Sequence, residues 1–468
     1  MLQRRTLAIA AASAGGFLAF LDTTIVNVSF PSIAASFPDA QRADLSWVLD
    51  AYFIVIAALL VPAGAIADKF GRKRVFLGAI VGFIVASVIC ALAPTWELLV
   101  AARALQGAAA AVLTPVSMAL MLPEFSAERR ATGVGIWGAA AALAAASGPP
   151  LGGVIVHVAD WRWIFLVNVP IGLIVLIAGS KGLRESVDET VTGLPDLAGS
   201  AFTIAGLGLL ALAIVEGGTW GWSSPATIAA FSGAVVLCAL VAWRCITHPR
   251  PVIDPSLLKI RSFRDANLGS MLFAMAFFST LLGNILFLTS VWQYTVLAAG
   301  LAVLPGPIAS TIVAGPAGRL ADRFGHRALI VPGCLVYLAG VLILRSAGVE
   351  PDYAGVWLPG QLLTGIGIGL AFPTLGAAAL THIPEAKFGI ASAVSAAFRQ
   401  FGAVIGTAVL IAMIGNPLTL AAANDAADRA YLFGAASVLA AGLVGLTLRR
   451  ARPVEPQPVV AEPVAVRE

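Results

Sequence analysis

A charged ten-residue signature occurs twice in this chain, each time between two long apolar runs. The first copy is Gly64-Ala-Ile-Ala-Asp68-Lys-Phe-Gly71-Arg72-Lys73, the second Gly318-Arg-Leu-Ala-Asp322-Arg-Phe-Gly325-His326-Arg327. Glycine, acid, glycine and base fall in one register, so the chain is built as two related halves. Of its 468 residues, 59% are hydrophobic and 12% charged, about half the charged share of a soluble domain. Such a chain has too few polar groups to cover its own surface in water. Its solvent is largely lipid, and the fold class it implies is an all-α integral membrane protein.

A helix crossing a bilayer needs about 20 mostly apolar residues. Fourteen runs qualify, near 7–30, 45–67, 75–94, 97–122, 131–156, 163–180, 197–216, 226–246, 266–290, 297–318, 328–347, 355–380, 389–414 and 429–448. Arg4-Arg5 before the first run has the look of a signal peptide, but the run continues through Leu21 to Asp22-Thr23-Thr24 and is read as an uncleaved span. The distribution of basic residues tests the count. With the N-terminus in the cytoplasm, the outer segments hold Arg42, Arg162, Arg345 and Arg429, and two spans hold Arg103 and Arg399. All the other Lys and Arg residues, Arg129 and Arg130 among them, fall inside. A miscounted helix would invert everything after it. The reading is a multi-pass protein of the cell (cytoplasmic or inner) membrane with both termini cytoplasmic.

The repeat extends beyond the loops. Gly107 and Pro115 in span 4 match Gly365 and Pro373 in span 12, and Gly148 and Gly152 in span 5 match Gly402 and Gly406 in span 13. Spans 1–6 thus correspond to spans 9–14 as two pseudo-symmetric six-helix bundles, 1–180 and 266–450. Spans 7 and 8 form an inserted hairpin within 181–265. The tail, 451–468, is rich in Pro, Val and Glu and is expected to be a disordered cytoplasmic segment.

Ionisable groups inside a bilayer are costly and are candidates for function. Asp22 in span 1 and Arg103 in span 4 can share a depth, which would let Asp22 gain and lose a proton as a cavity opens to each side; a static ion pair is the plain alternative. Asp50 in span 2 is a second acid, either in the cavity or at the interface. Asn27, Gln106, Gln361, Arg399 and Gln400 are candidate cavity residues, Gln361 standing at the repeat position of Arg103. In the signature, Gly64 is expected to allow close packing and Gly71 a tight reversal. Asp68 is expected to meet helix N–H groups or a cation, while the bases that follow, Arg72 among them, stay at the anionic inner surface; Asp322, Gly325 and Arg327 repeat the pattern. Gly148, Pro149, Gly152 and Gly153 mark span 5 as a closely packed, interrupted helix. The four cysteines lack metal-ligand spacing, no metal or other cofactor is implied, and the scattered basic residues give no nucleic-acid stripe.

These residues resemble the major facilitator superfamily, and within it the fourteen-spanner drug:proton antiporters. Leu21-Asp22-Thr-Thr-Ile-Val-Asn27-Val-Ser-Phe-Pro31 is similar to that group's first-helix signature, and Gly64 to Arg74 to the superfamily's loop signature. Arg103-Ala-Leu-Gln106-Gly107 is similar to its fourth-helix signature, whose arginine is associated with proton coupling. Gly148-Pro149-Pro150-Leu151-Gly152-Gly153 resembles the fifth-helix antiporter signature, and Trp161 to Pro170 also fits. The resemblance covers about 7–448. It implies proton influx driving export of a small amphipathic drug or antibiotic by alternating access. Asp22 would be the protonation site in a protein expected to be a monomer, with accessory efflux proteins as further partners. The scarcity of acids in the spans favours neutral or monocationic cargo. A dedicated exporter of one host metabolite or antibiotic, or a non-transporting receptor or scaffold, are the alternatives. No nucleotide-binding loop or catalytic constellation points to a pump driven by ATP or to an enzyme.

Overall fold

The computed structural model describes residues 2–126, 130–187, 193–384, 387–415, 417 and 419–448. Arg129 and the tail 451–468 lie outside the described residues, as do the side chains of Arg130 and Asp322. Helices are α1 (Leu2–Ser36), α2 (Arg42–Phe70), α3 (Arg72–Leu92), α4 (Trp96–Met121), α5 (Arg130–Val158), α6 (Trp163–Leu166), α7 (Asn168–Gly182), α8 (Leu197–Trp220) and α9 (Pro225–Thr247). They continue with α10 (Pro255–Leu258), α11 (Arg261–Ser290), α12 (Val296–Ala302), α13 (Pro305–Phe324), α14 (Arg327–Arg345), α15 (Leu358–Leu380), α16 (Phe388–Ile414) and α17 (Leu420–Thr447). Among the described residues, 14 helical stretches are long and apolar enough to cross a membrane. Lipid offers the backbone no hydrogen bonds, so an apolar run of this length has only the helix available. Where the chain returns to polar surroundings, side chains cap the new helices: Thr95, Asp196, Ser224, Thr295, Asp352 and Thr419 each accept from an N–H of the first turn.

Two expected spans are interrupted. The sixth is α6 and α7 joined at Val167, and the tenth is α12 and α13 joined at Val303 and Leu304. The first is longer than its apolar run, because Pro31 is accommodated inside α1 and the helix runs on to Ser36. Asp22 lies 14 positions from the end of α1, or about 21 Å along the helix at 1.5 Å per residue.

α1–α7 pack mainly with one another, and so do α11–α17. The repeat is visible in the closest approaches. A Cβ on Gly107 of α4 would meet the Tyr52 carbonyl of α2 at 2.8 Å, and one on Gly365 of α15 would strike the backbone of Gly306 in α13. Gly148 and Gly152 seat α5 on Thr24 and Ile25 of α1; Gly402 and Gly406 seat α16 on the Met271 and Met275 carbonyls of α11. The same helix pairs cross through the same glycines in each half. Small residues do this because association within lipid depends on close van der Waals approach.

The two groups meet along α2 and α16 and where α5 touches α12. We call the face with Leu2 and Leu448 the terminal face. At the far face the seam is shut. Gly153 of α5 lies against the Leu297 backbone of α12, a Cβ on Gly300 would meet the Pro149 carbonyl at 2.6 Å, and Phe53 packs on Phe278 with ring centroids 5.0 Å apart. Arg42 also donates to the Gly415 carbonyl across it. Toward the terminal face, a Cβ on Gly64, Gly138, Gly315 or Gly318 would meet nothing within 4 Å. The structure is shut at the far face and parted at the terminal face.

The α8–α9 hairpin rests on this seam, α8 touching both α2 and α16. Its two helices are tied at the terminal face by Arg244 and Asp196, 2.7 Å apart. Burial pushes the Asp196 carboxyl up, but hydrogen bonds from Arg244 and the Gly199 N–H outweigh it and hold the group below the usual carboxylate range.

Candidate functional site

Five helices converge on one carboxylate. Asp22 of α1 and Arg103 of α4 are both fully buried, with Arg103 Nη1 donating to Asp22 Oδ2 at 2.5 Å. The other carboxylate oxygen accepts from Gln106 Nε2 at 2.9 Å and from Asn168 Nδ2, at the start of α7, at 3.0 Å. Ser87 Oγ of α3 accepts from the same two amides, at 2.9 and 3.4 Å. Arg103 Nε donates to the Val48 carbonyl of α2 at 2.9 Å, and the guanidinium lies 4.0 Å from the centre of the Tyr52 ring. Gln106 Oε1 accepts from Arg103 Nη1 at 2.6 Å, while Nη2 has no hydrogen-bond partner among the described residues.

This is a charge pair whose desolvation is offset by two amide donors, a backbone carbonyl and an aromatic face. It is also a set of interactions that one proton would rearrange. A protonated Asp22 no longer attracts Arg103 as an ion, yet Arg103 keeps Val48, Gln106 and Tyr52. Proton binding on α1 would therefore change how α1 is held to α2, α4 and α7.

Asp50 stands apart. Val48 and Tyr52 share one face of α2, and Asp50 is about 200° round from each. It is one turn from Phe53, so it points with that ring toward the other half. It is fully buried, and neither carboxylate oxygen has a hydrogen-bond partner among the described residues. An ionised carboxylate in that setting would be very costly.

Between the halves lies a cavity of about 60 Å³, lined by Phe20, Thr23, Tyr52, Thr114, Arg399 and Gln400 among others. Tyr52 is the partition: its ring covers Arg103 and borders the cavity, and its hydroxyl donates to the Ala19 carbonyl at 3.2 Å.

Of the five residues expected at a cavity, Arg399 and Gln400 line this one. Gln106 does not; it belongs to the Asp22 network behind Tyr52. Asn27 is buried and donates to the Thr23 carbonyl of its own helix, since a short amide inside an apolar helix finds the preceding turn first. Gln361 is buried against Gly306, its Nε2 without a hydrogen-bond partner among the described residues.

In the first loop signature, Asp68 accepts from Arg72 Nε at 2.7 Å across the turn at Gly71, whose φ of +107° lies in the left-handed region. Gly325 has the same role at φ +88°, and Arg327 opens α14 in an exposed position. The expected close packing of Gly64 is absent. Gly64 continues the Leu60 face of α2, which looks into the parted side of the seam. The Pro149-Pro150 pair does not end α5, which runs continuously to Val158.

Sequence reasoning passed over Ser87, Asn168, Tyr52 and Glu185. The last accepts from the N–H groups of Lys73 and Arg74 and so caps α3 just after the signature. An acid in the polar segment after span 6 was the only available signal for it.

Two pseudo-repeated helical bundles, closing at one face over a cavity beside a buried carboxylate, define a membrane carrier. The chain belongs to the Major Facilitator Superfamily, whose sequence profile matches residues 12–407 and again 267–466. It is 34% identical to multidrug resistance protein Stp of Mycobacterium tuberculosis, over 88% of this chain and 76% of that one. It is 32% identical to a methylenomycin A resistance protein of Bacillus subtilis, over 93% and 92% of the two chains. Among solved structures, a D-xylose–proton symporter superposes with a TM-score of 0.66 at 16% identity, covering 95% of this chain and 97% of that one. A bacterial homolog of the human lysosomal transporter Spinster, inward-facing and occupied, also scores 0.66, at 15% identity with 94% and 96% covered. These two likenesses concern the fold.

Proposed function

We propose that this protein is a proton-coupled antiporter that exports small amphipathic drugs or antibiotics from the cytoplasm by alternating access. The observation that carries the reading is the Asp22 carboxylate, buried and held by groups from α3, α4 and α7 beside the central cavity. The names of the relatives, which concern drug and methylenomycin A resistance, support the direction of transport. The terminal face is taken as cytoplasmic from the basic-residue asymmetry. The described state is then parted toward the cytoplasm and shut toward the outside.

In this reading Asp22 and Asp50 share the proton work. Asp22 responds through Arg103, and Tyr52 passes its state to the cavity wall. Asp50, on the face of α2 toward the other half, gains water when the far face opens. The signature residues Gly64, Asp68, Gly71 and Arg72, with Asp322, Gly325 and Arg327, act in the opposite state. There Gly64 would meet the partner half, and the Asp68–Arg72 pair would be free to exchange. Gly153 holds the far face shut in the state described, while Gly148 and Gly152 seat α5 on α1. The protein acts as a monomer, and accessory proteins could extend its path.

The test uses inverted membrane vesicles with a panel of cationic, neutral and anionic dyes. Wild type should accumulate at least one dye class when the interior is acidified, and a protonophore should abolish accumulation. Asp22→Asn at matched levels should lose about 100-fold or more in rate, the scale of a lost proton-transfer group. Accumulation that ignores the protonophore, or an Asp22→Asn variant that pumps like wild type, would sink the assignment.

A further inference from the structure

The cavity wall carries a charge that no described residue neutralises. Arg399 of α16 lines the cavity, and its guanidinium makes no hydrogen bond or ion pair with any described residue. Among the residues that line this cavity it is the sole charged side chain. The acids of the neighbouring half are otherwise placed. Asp22 is taken up by Arg103, Gln106 and Asn168 behind Tyr52, and Asp50 leaves α2 on another face.

We propose that the cargo is a monoanionic amphipath whose carboxylate pairs with Arg399, a proposal that rests on the export reading above. A guanidinium keeps its proton and needs a counter-ion wherever water is scarce. Its planar fork matches a carboxylate through two parallel N–H···O bonds. The Gln400 amide beside it can donate to a remaining lone pair, while Phe20 and Ile56 offer an apolar wall to the rest of the molecule. The same charge works against a cationic dye, which would bring like charge into a narrow space. The expectation of neutral or monocationic cargo, drawn from the scarcity of acids, is revised accordingly: few acids and one unpaired base point to an anion.

The cavity of about 60 Å³ is smaller than the roughly 300–1,000 Å³ of a typical ligand site. Cargo therefore enters as α2 and α16 part further toward the terminal face. Charge movement follows from the sign of the cargo. Exchanging an outgoing anion for one incoming proton moves two charges across the membrane, whereas a neutral cargo moves one.

The experiment uses the full-length protein in lipid nanodiscs and three matched probes: 2-naphthoate, 2-naphthamide and a 2-naphthylmethyl-trimethylammonium salt. Calorimetry on wild type should show the carboxylate binding about tenfold or more tighter than the amide, the gain of one paired charge, and the ammonium weakest. Arg399→Gln should erase that preference. Arg399→Lys, which keeps the charge but not the fork, should retain part of it and guards against a variant that merely misfolds. Equal binding of carboxylate and amide, a preference that survives in Arg399→Gln, or no carboxylate binding at all would overturn the proposal. A second arm separates it from the export reading. If the carboxylate binds through Arg399 but no proton gradient moves it in proteoliposomes, export fails and the anion site stands. If proton-driven transport of a cationic dye is as fast in Arg399→Gln as in wild type, export stands and the anion site fails.

Discussion

Asp22 and Asp50 put one side-chain type into two opposite electrostatic settings. Asp22 has a cation and two amides within hydrogen-bond distance, whereas neither oxygen of Asp50 has such a partner among the described residues. Removing either group should affect stability differently. Asp22→Leu leaves Arg103 buried without its counter-ion, and should destabilise the detergent-solubilised protein by about 3–5 kcal/mol. Asp50→Asn replaces a carboxyl with an amide of the same shape at a site with no charged partner among the described residues, and should change stability by less than about 1 kcal/mol. Thermal unfolding of the two variants side by side measures this; a large loss for Asp50→Asn would mean that its carboxylate is paired after all. The charged members of the network were legible in the sequence because an ionisable residue inside an apolar run is conspicuous. Ser87, Asn168 and Tyr52 were not. Uncharged polar residues in such runs usually bond to their own helix, as Ser29 does to the Ile25 carbonyl, so nothing marks the few that reach across.

At the level of single helices, α5 does two jobs with one run of small residues. Gly148 and Gly152 seat it on α1, and Gly153 meets the α12 backbone, with Leu297 Cα only 3.0 Å from an added Cβ. A larger side chain at Gly153 should pry the far face apart while leaving the contact with α1 intact. Gly153→Leu is expected to fold, to lose most of its transport, and to expose a cysteine introduced at Leu297 to a membrane-impermeant maleimide from the outside. Unchanged transport, or a Leu297→Cys that stays protected, would show that this contact does not hold the seam. The glycine pattern was readable as close packing, but the sequence did not say against which helix. Glycine and alanine offer so little side-chain contrast around α5 that its rotation leaves no apolar stripe to read.

On the scale of the whole molecule, the structure is one of two arrangements that the repeat permits. Its far face is shut by glycine contacts and by Phe53 on Phe278, while Gly64 and Gly318 look into open space. In a background with the four native cysteines replaced, Gly153→Cys/Leu297→Cys should cross-link rapidly without cargo. Gly138→Cys/Gly315→Cys should cross-link slowly, and faster once cargo and a proton gradient drive turnover. Mass spectrometry of the oxidised protein reads both. The reverse order of rates would mean that the resting protein is open at the other face.

The sequence by itself determined the fourteen spans and the repeated signature. The spans rest on a local cost: an unpaired backbone group in lipid. It also marked Asp22, Arg103, Asp50 and Arg399, since charge within apolar surroundings is costly wherever the helix points. Only the tertiary structure decided which of these charges meet. Asp22 and Arg103 pair because α1 and α4 turn those faces together, while Arg399 remains alone on the cavity wall and Asp50 faces the seam. The physical reason is that helix rotation and the contacts along the seam arise from many small van der Waals contacts spread over both halves. No short stretch of sequence contains them.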